Sequence, residues 1–140
     1  MKKPELVEEE GDRYEFVAYG LKCLMLRHPG LLHWCGYVAV PSDSILARKT
    51  KSYYYSESEL GLTDFEQDIN NISVHGGITY VGNRNKDEVL YWGFDCGHAG
   101  DESPGMDSLF NGDIYRNKEY VVEECKNLAR QLLKIIEIYK

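Results

Sequence analysis

Three short phrases of the 140-residue chain hold the side chains best suited to moving protons or gripping ions. They are His33-Trp34-Cys35-Gly36-Tyr37, Val74-His75-Gly76-Gly77 and Asp95-Cys96-Gly97-His98-Ala99-Gly100-Asp101. Three of the four histidines lie in them; His28 stands apart. An imidazole exchanges its proton near neutrality, a carboxylate can orient that imidazole, and a thiol becomes a nucleophile once ionised. Gly36, Gly76, Gly77, Gly93, Gly97 and Gly100 sit in or beside the same phrases. Glycine weakens a strand and marks a bulge or a close backbone approach. Titratable residues beside such positions are where a site is expected.

Three chemistries fit these residues. The first is a pocket for a small polar ligand, built by His33, Cys35, His75, Gly76, Gly77, Asp95, Cys96, His98 and Asp101. Glycine backbone N–H groups would help hold the ligand, and Trp34, Trp92 or a tyrosine would stack on it. The second is a metal centre: His33, His75 and His98 supply three ligands to zinc or another divalent transition metal and leave a position open for hydrolysis. Neither Cys-x-x-Cys nor His-Glu-x-x-His is present to support it. The third is a Cys35 or Cys96 thiolate activated by one of the imidazoles, with an aspartate orienting the ring. Against all three stands a plainer account, in which each histidine is a hydrogen-bonded part of the scaffold. Cys23 and Cys125 read as small core hydrophobes. A Cys23–Cys35 cross-strand disulfide is conceivable, but a cytosolic chain keeps both thiols reduced.

The elements that must position these residues follow from pattern. Residues 1–12 carry Glu8-Glu9-Glu10-Gly11-Asp12 and read as a solvated, flexible lead-in. Tyr19 to Arg27 and Leu32 to Val40 read as an antiparallel hairpin turning at Pro29-Gly30. Ile72 to Tyr80 reads as a third strand, which puts His75 on one face with Gly77 and Thr79. Val89 to Cys96 reads as a fourth, antiparallel to it. Residues 42–71 are the least legible; they include Tyr53-Tyr54-Tyr55, and Leu60 to Asn71 has the makings of a short helix. Beyond Asn117, a plausible N-cap, Val121, Cys125, Leu128, Leu132, Ile135 and Tyr139 step by four, three, four, three and four. That is the apolar stripe of an amphipathic helix. The expected fold is therefore α+β: one domain over 1–140, a small antiparallel sheet with a long C-terminal helix packed on one face.

Sixteen Lys and Arg against 23 Asp and Glu leave a net charge of −7. That excludes nucleic-acid binding through a broad basic surface, which runs on phosphate neutralisation. No apolar run reaches the length of a membrane span, and Met1-Lys2-Lys3-Pro4-Glu5 has no signal core. The expectation is a cytoplasmic protein with no membrane partner.

The order Cys23…His33-x-Cys-Gly-Tyr-Val-x-Val-Pro41, Val74-His-Gly-Gly-Ile-Thr-Tyr80, Trp92-Gly-Phe-Asp-Cys-Gly-His-Ala-Gly-Asp101 and Tyr115-Arg116…Tyr120-Val121 resembles a family of small, mostly uncharacterised phage and prophage proteins. That family usually has Ala where this chain has Gly97, and residues 42–71 depart from its pattern. The resemblance implies an origin and a core architecture, not a reaction. It favours an accessory protein whose His/Cys/Asp pocket captures a small ligand such as a signalling nucleotide, antagonising a host defence. The alternatives are the metal-dependent hydrolase and an inhibitor that binds a host protein through its acidic surface and the Tyr53–Tyr55 loop.

Overall fold

The structure is a computed structural model, and it describes residues 3–49, 64–83, 89–106 and 112–140. Helix α1 (Lys3–Glu10) leads into strands β1 (Arg13–Ala18), β2 (Leu21–Arg27) and β3 (Trp34–Val40). Helix α2 (Asp64–Asn70), strands β4 (Tyr80–Gly82) and β5 (Leu90–Asp95) and helix α3 (Lys118–Ile138) follow. The five strands form one antiparallel sheet in the order β1-β2-β3-β5-β4. The fold is α+β, as the pattern of the sequence predicts. None of the helices formed by the described residues is long and apolar enough to cross a membrane.

The β1–β2 connection is a two-residue turn, Tyr19-Gly20, with both φ angles positive (53° and 76°). Such turns match the right-handed twist of the strands they join. The predicted β2–β3 hairpin is present, and His28 organises its loop: Nδ1 accepts the N–H groups of Gly30 and Leu31.

Alternation divides the sheet into two faces. Cys23, Met25, Trp34, Val38, Val40, Trp92 and Phe94 point to one side and form the main core with Val121, Cys125, Leu128, Ala129, Leu132 and Ile135 of α3. The helix comes close because Gly36 has no side chain: a Cβ there would lie 2.7 Å from Cys125 Sγ and 2.6 Å from the Phe94 ring. Gly36 is thus a packing position. The other face carries a smaller cluster of Leu24, Tyr37, Ala39 and Tyr91, with Cys35 and Tyr80 at its margin. Cys23 and Cys35 therefore face opposite sides of the sheet, and none of the four cysteines is in a disulfide. This geometry forbids the disulfide considered above.

Two segments depart from expectation. The third strand is only Tyr80–Gly82; residues 74–77 form a turn, closed by Gly77 N–H to Val74 O at 2.8 Å. Successive positive φ angles at Gly76 and Gly77 (69° and 80°) break the pleat. The backbone of this segment is satisfied by α3 side chains instead. Ser73 N–H donates to Gln131 Oε1 and His75 N–H to Glu124 Oε1, while Asn127 and Gln131 donate to Ser73 O. The acidic lead-in, expected to be solvated, is helical over Lys3–Glu10, and the side chain of Glu10 is 10% exposed. Its carboxylate accepts from Tyr115 Oη, Trp34 Nε1, Arg27 and the backbone of Lys118. Arg27 is itself buried and also donates to the carbonyls of Gly11 and Leu32. The Tyr53–Tyr55 cluster lies outside the described residues.

Candidate functional site

The site grows around one buried carboxylate. Asp101 follows the loop after β5 and bridges to Ile114, which places it beside the start of α3. Its Oδ2 accepts from His75 Nε2 at 2.7 Å and from the backbone N–H of His98 at 3.2 Å. Its Oδ1 accepts from Arg116 Nε at 3.0 Å. Burial alone raises a carboxyl pKa, but the hydrogen bonds from His75, Arg116 and His98 outweigh it here and hold Asp101 below the usual range.

His75 is fixed at both nitrogens. A carboxylate can only accept, so Nε2 carries the proton toward Asp101, and in the neutral ring Nδ1 accepts from Tyr120 Oη at 2.7 Å. Burial, and then the charge of Glu124, raise the phenol's pKa, so Tyr120 stays a neutral donor. Tyr120, Glu124, Asn127 and Gln131 form a polar stripe along α3 that grips the 73–75 segment. Sequence reasoning missed this stripe; its helical spacing beside the apolar one is the signal that would have found it.

His98 lies next to this network and is far less committed. Its ring centre is 6.2 Å from that of His75. It packs on Gly76, where a Cβ would come within 2.2 Å of the ring. Nε2 is itself buried, lies 3.5 Å from Asp95 Oδ1 and has no hydrogen-bond partner. The side chain is 36% exposed. Asp95 is held by the N–H of Gly97 and the hydroxyl of Thr79.

The remaining expected site residues separate from this corner. His33 is buried, with Nδ1 3.0 Å from Ser103 Oγ and its ring stacked on His28. Burial, then the neighbouring His28, lower its pKa, so it stays neutral. Its ring lies against Gly97, where a Cβ would meet Cε1 at 2.8 Å. His33 is therefore a brace between two loops and not a third member of the imidazole group. Cys96 belongs to the main core, and burial pushes its thiol far above the ordinary range. It faces no ligand and is no nucleophile at neutral pH. Cys35 pairs across the strands with Asp95, on the face away from α3. The N–H groups of Gly77 and Gly97, expected to hold a ligand, are used by Val74 O and Asp95. Among the described residues no group of three His, Cys, Asp or Glu side chains is placed to hold a metal ion. A groove of about 620 Å³ between α2 and α3, bordered by Asp68, Arg130 and Lys134, is lined by none of the site residues.

Comparison with family models, with curated proteins and with solved structures gives no match.

Proposed function

We propose that the protein is a non-enzymatic binding module of the phage accessory type, which captures a small polar ligand at the corner built by residues 74–79, 95–101 and the first turns of α3. One observation carries this reading. In a polar network whose other members are tied to one another, the His98 side chain is 36% exposed, and its Nε2, buried against Gly76, is left without a hydrogen-bond partner. A rigid second layer of Asp101, His75 and Tyr120 stands behind it. Fixed polar groups beneath one partly exposed imidazole suit recognition of a ligand that donates or accepts a hydrogen bond. Capture of a signalling nucleotide, and through it antagonism of a host defence, is the biological form this reading takes.

The test is thermal unfolding against a panel of nucleosides, nucleotides, sugars and amino acids. A ligand at a hundred times its dissociation constant adds about 2.7 kcal/mol of stability. At least one compound is expected to stabilise the protein, and His98→Ala to abolish the effect. If no compound does so, or if His98→Ala responds like the native chain, the binding reading fails. An inhibitor acting through the acidic surface then takes its place.

A further inference from the structure

Strands β1 and β4 are the two edges of the sheet, and β4 has three residues against six in β1. The β1–β2 hairpin is closed by Ala18 and Leu21, and at its far end the Arg27 N–H donates to Asp12 O. Antiparallel pairs alternate between exchanging both backbone bonds and exchanging none. Asp12, Tyr14, Phe16 and Ala18 therefore turn their backbone groups toward β2, and Arg13, Glu15 and Val17 turn theirs outward. Among the described residues these outward groups have no hydrogen-bond partner. The side chains of the edge are open too: Val17 is 69% exposed and Tyr14 38%. Arg13 and Glu15 lie across from Leu26 and Leu24, on the face away from α3, and pair with each other at 2.6 Å.

Charge on an edge strand ordinarily keeps other strands away. Here it selects one partner and one register. Two antiparallel copies of β1 can bond through their outward groups only when odd-numbered residues stand opposite one another. A two-fold axis at Arg13 would oppose the two arginines, and an axis at Glu15 the two glutamates. An axis at Phe16 or Val17 would set Glu15 against Val17 or Tyr19. An axis at Tyr14 opposes Arg13 of each copy to Glu15 of the other. Those are then the hydrogen-bonded pairs, and Tyr14 meets its own copy in the pair between them, where side chains approach closest.

We infer that β1 is a self-association edge: a second copy of this chain lies antiparallel along it, about a two-fold axis at Tyr14, and joins two sheets into one. The axis closes the assembly at two molecules. One strand a side is a small interface, and each copy carries a net charge of −7, so the pair is weak and rests on its local charges. Lys22, 3.7 Å from Glu15, adds to the positive side of that edge. Pairing is independent of ligand capture.

Sedimentation velocity of the full-length protein between about 10 µM and 1 mM, at physiological salt, reads the association. A monomer–dimer equilibrium is expected. Arg13→Glu and Glu15→Arg, both at half-exposed positions, each bring like charges opposite one another and are expected to weaken self-association by at least about tenfold. Mixed in equal amounts, the two variants oppose acids to arginines and are expected to pair about as tightly as the native chain, which misfolded variants would not do. In concentrated native protein the Arg13 and Glu15 amides should exchange hydrogen more slowly than in dilute protein, while those of Tyr14 and Phe16, already bonded to β2, change little. A chain still monomeric at about 1 mM overturns the inference. So does a dimer whose Arg13 and Glu15 amides keep their dilute rates, or whose variants neither weaken alone nor recover on mixing.

Discussion

At Gly76 two constraints meet in one residue: a left-handed backbone and an imidazole lying where a side chain would stand. Gly76→Ala is expected to cost more than about 1 kcal/mol, since the strained φ and the displaced ring add to each other. Thermal unfolding checks the loss, and the His98 ring signals check the displacement. A variant with native stability and unmoved His98 signals would refute the packing described. Acid sensitivity is also set by single residues. His33 binds its proton less readily in the fold than at its ordinary pKa of 6.5. The unfolded chain therefore holds more protons just below that value, and stability falls as the pH drops through it. Asp101, held below its ordinary 3.8, adds a second loss only in stronger acid, again as the pH falls. Denaturant unfolding across pH should show both steps. In His33→Gln the upper one should shrink while the lower one remains.

At the scale of elements, legibility followed how local the cause was. Helix α3 was readable because its apolar spacing and the Asn117 cap are written within its own segment; Asn117 Oδ1 does accept the Tyr120 N–H. The β2–β3 hairpin was readable for the same reason. The 72–80 segment was misread because β-compatible side chains were weighed above two adjacent glycines, and because what holds its backbone lies about fifty residues further on, in Glu124, Asn127 and Gln131. The site was legible in part. His75, Asp95, His98 and Asp101 do converge, whereas His33 and Cys96 share their phrases yet turn to other partners. Arg116 and Tyr120 were not singled out as site residues, since their roles exist only once α3 is docked. If the polar stripe fixes this turn, Asn127→Ala combined with Gln131→Ala should speed amide hydrogen exchange over residues 73–77. Exchange on the apolar side of α3 should stay slow. Unchanged exchange over 73–77 would mean the turn holds itself.

The whole molecule is tied across its length by Glu10. This carboxylate joins α1 to Tyr115, just ahead of α3, and to Lys118, the first residue of α3, and it faces the buried Arg27. Burial, then Glu10, push the Tyr115 phenol pKa up to about 12, so it remains a donor under ordinary conditions. Glu10→Gln keeps the shape and removes the charge. It leaves the buried Arg27 with only the exposed Asp12 carboxylate, 3.4 Å from its Nε, as counter-ion and is expected to cost about 3 kcal/mol. Urea unfolding measures that loss; a cost below about 1 kcal/mol would show that Asp12 and the carbonyls around Arg27 suffice.

That clasp also bears on the order of events during synthesis. Glu10 is made early, but its partners Tyr115 and Lys118 lie 105 and 108 residues later. On the ribosome the nascent amino-terminal hairpin therefore emerges with the Arg27 guanidinium lacking part of its eventual cage. The chain should resist proteases only after the final helix has left the exit tunnel.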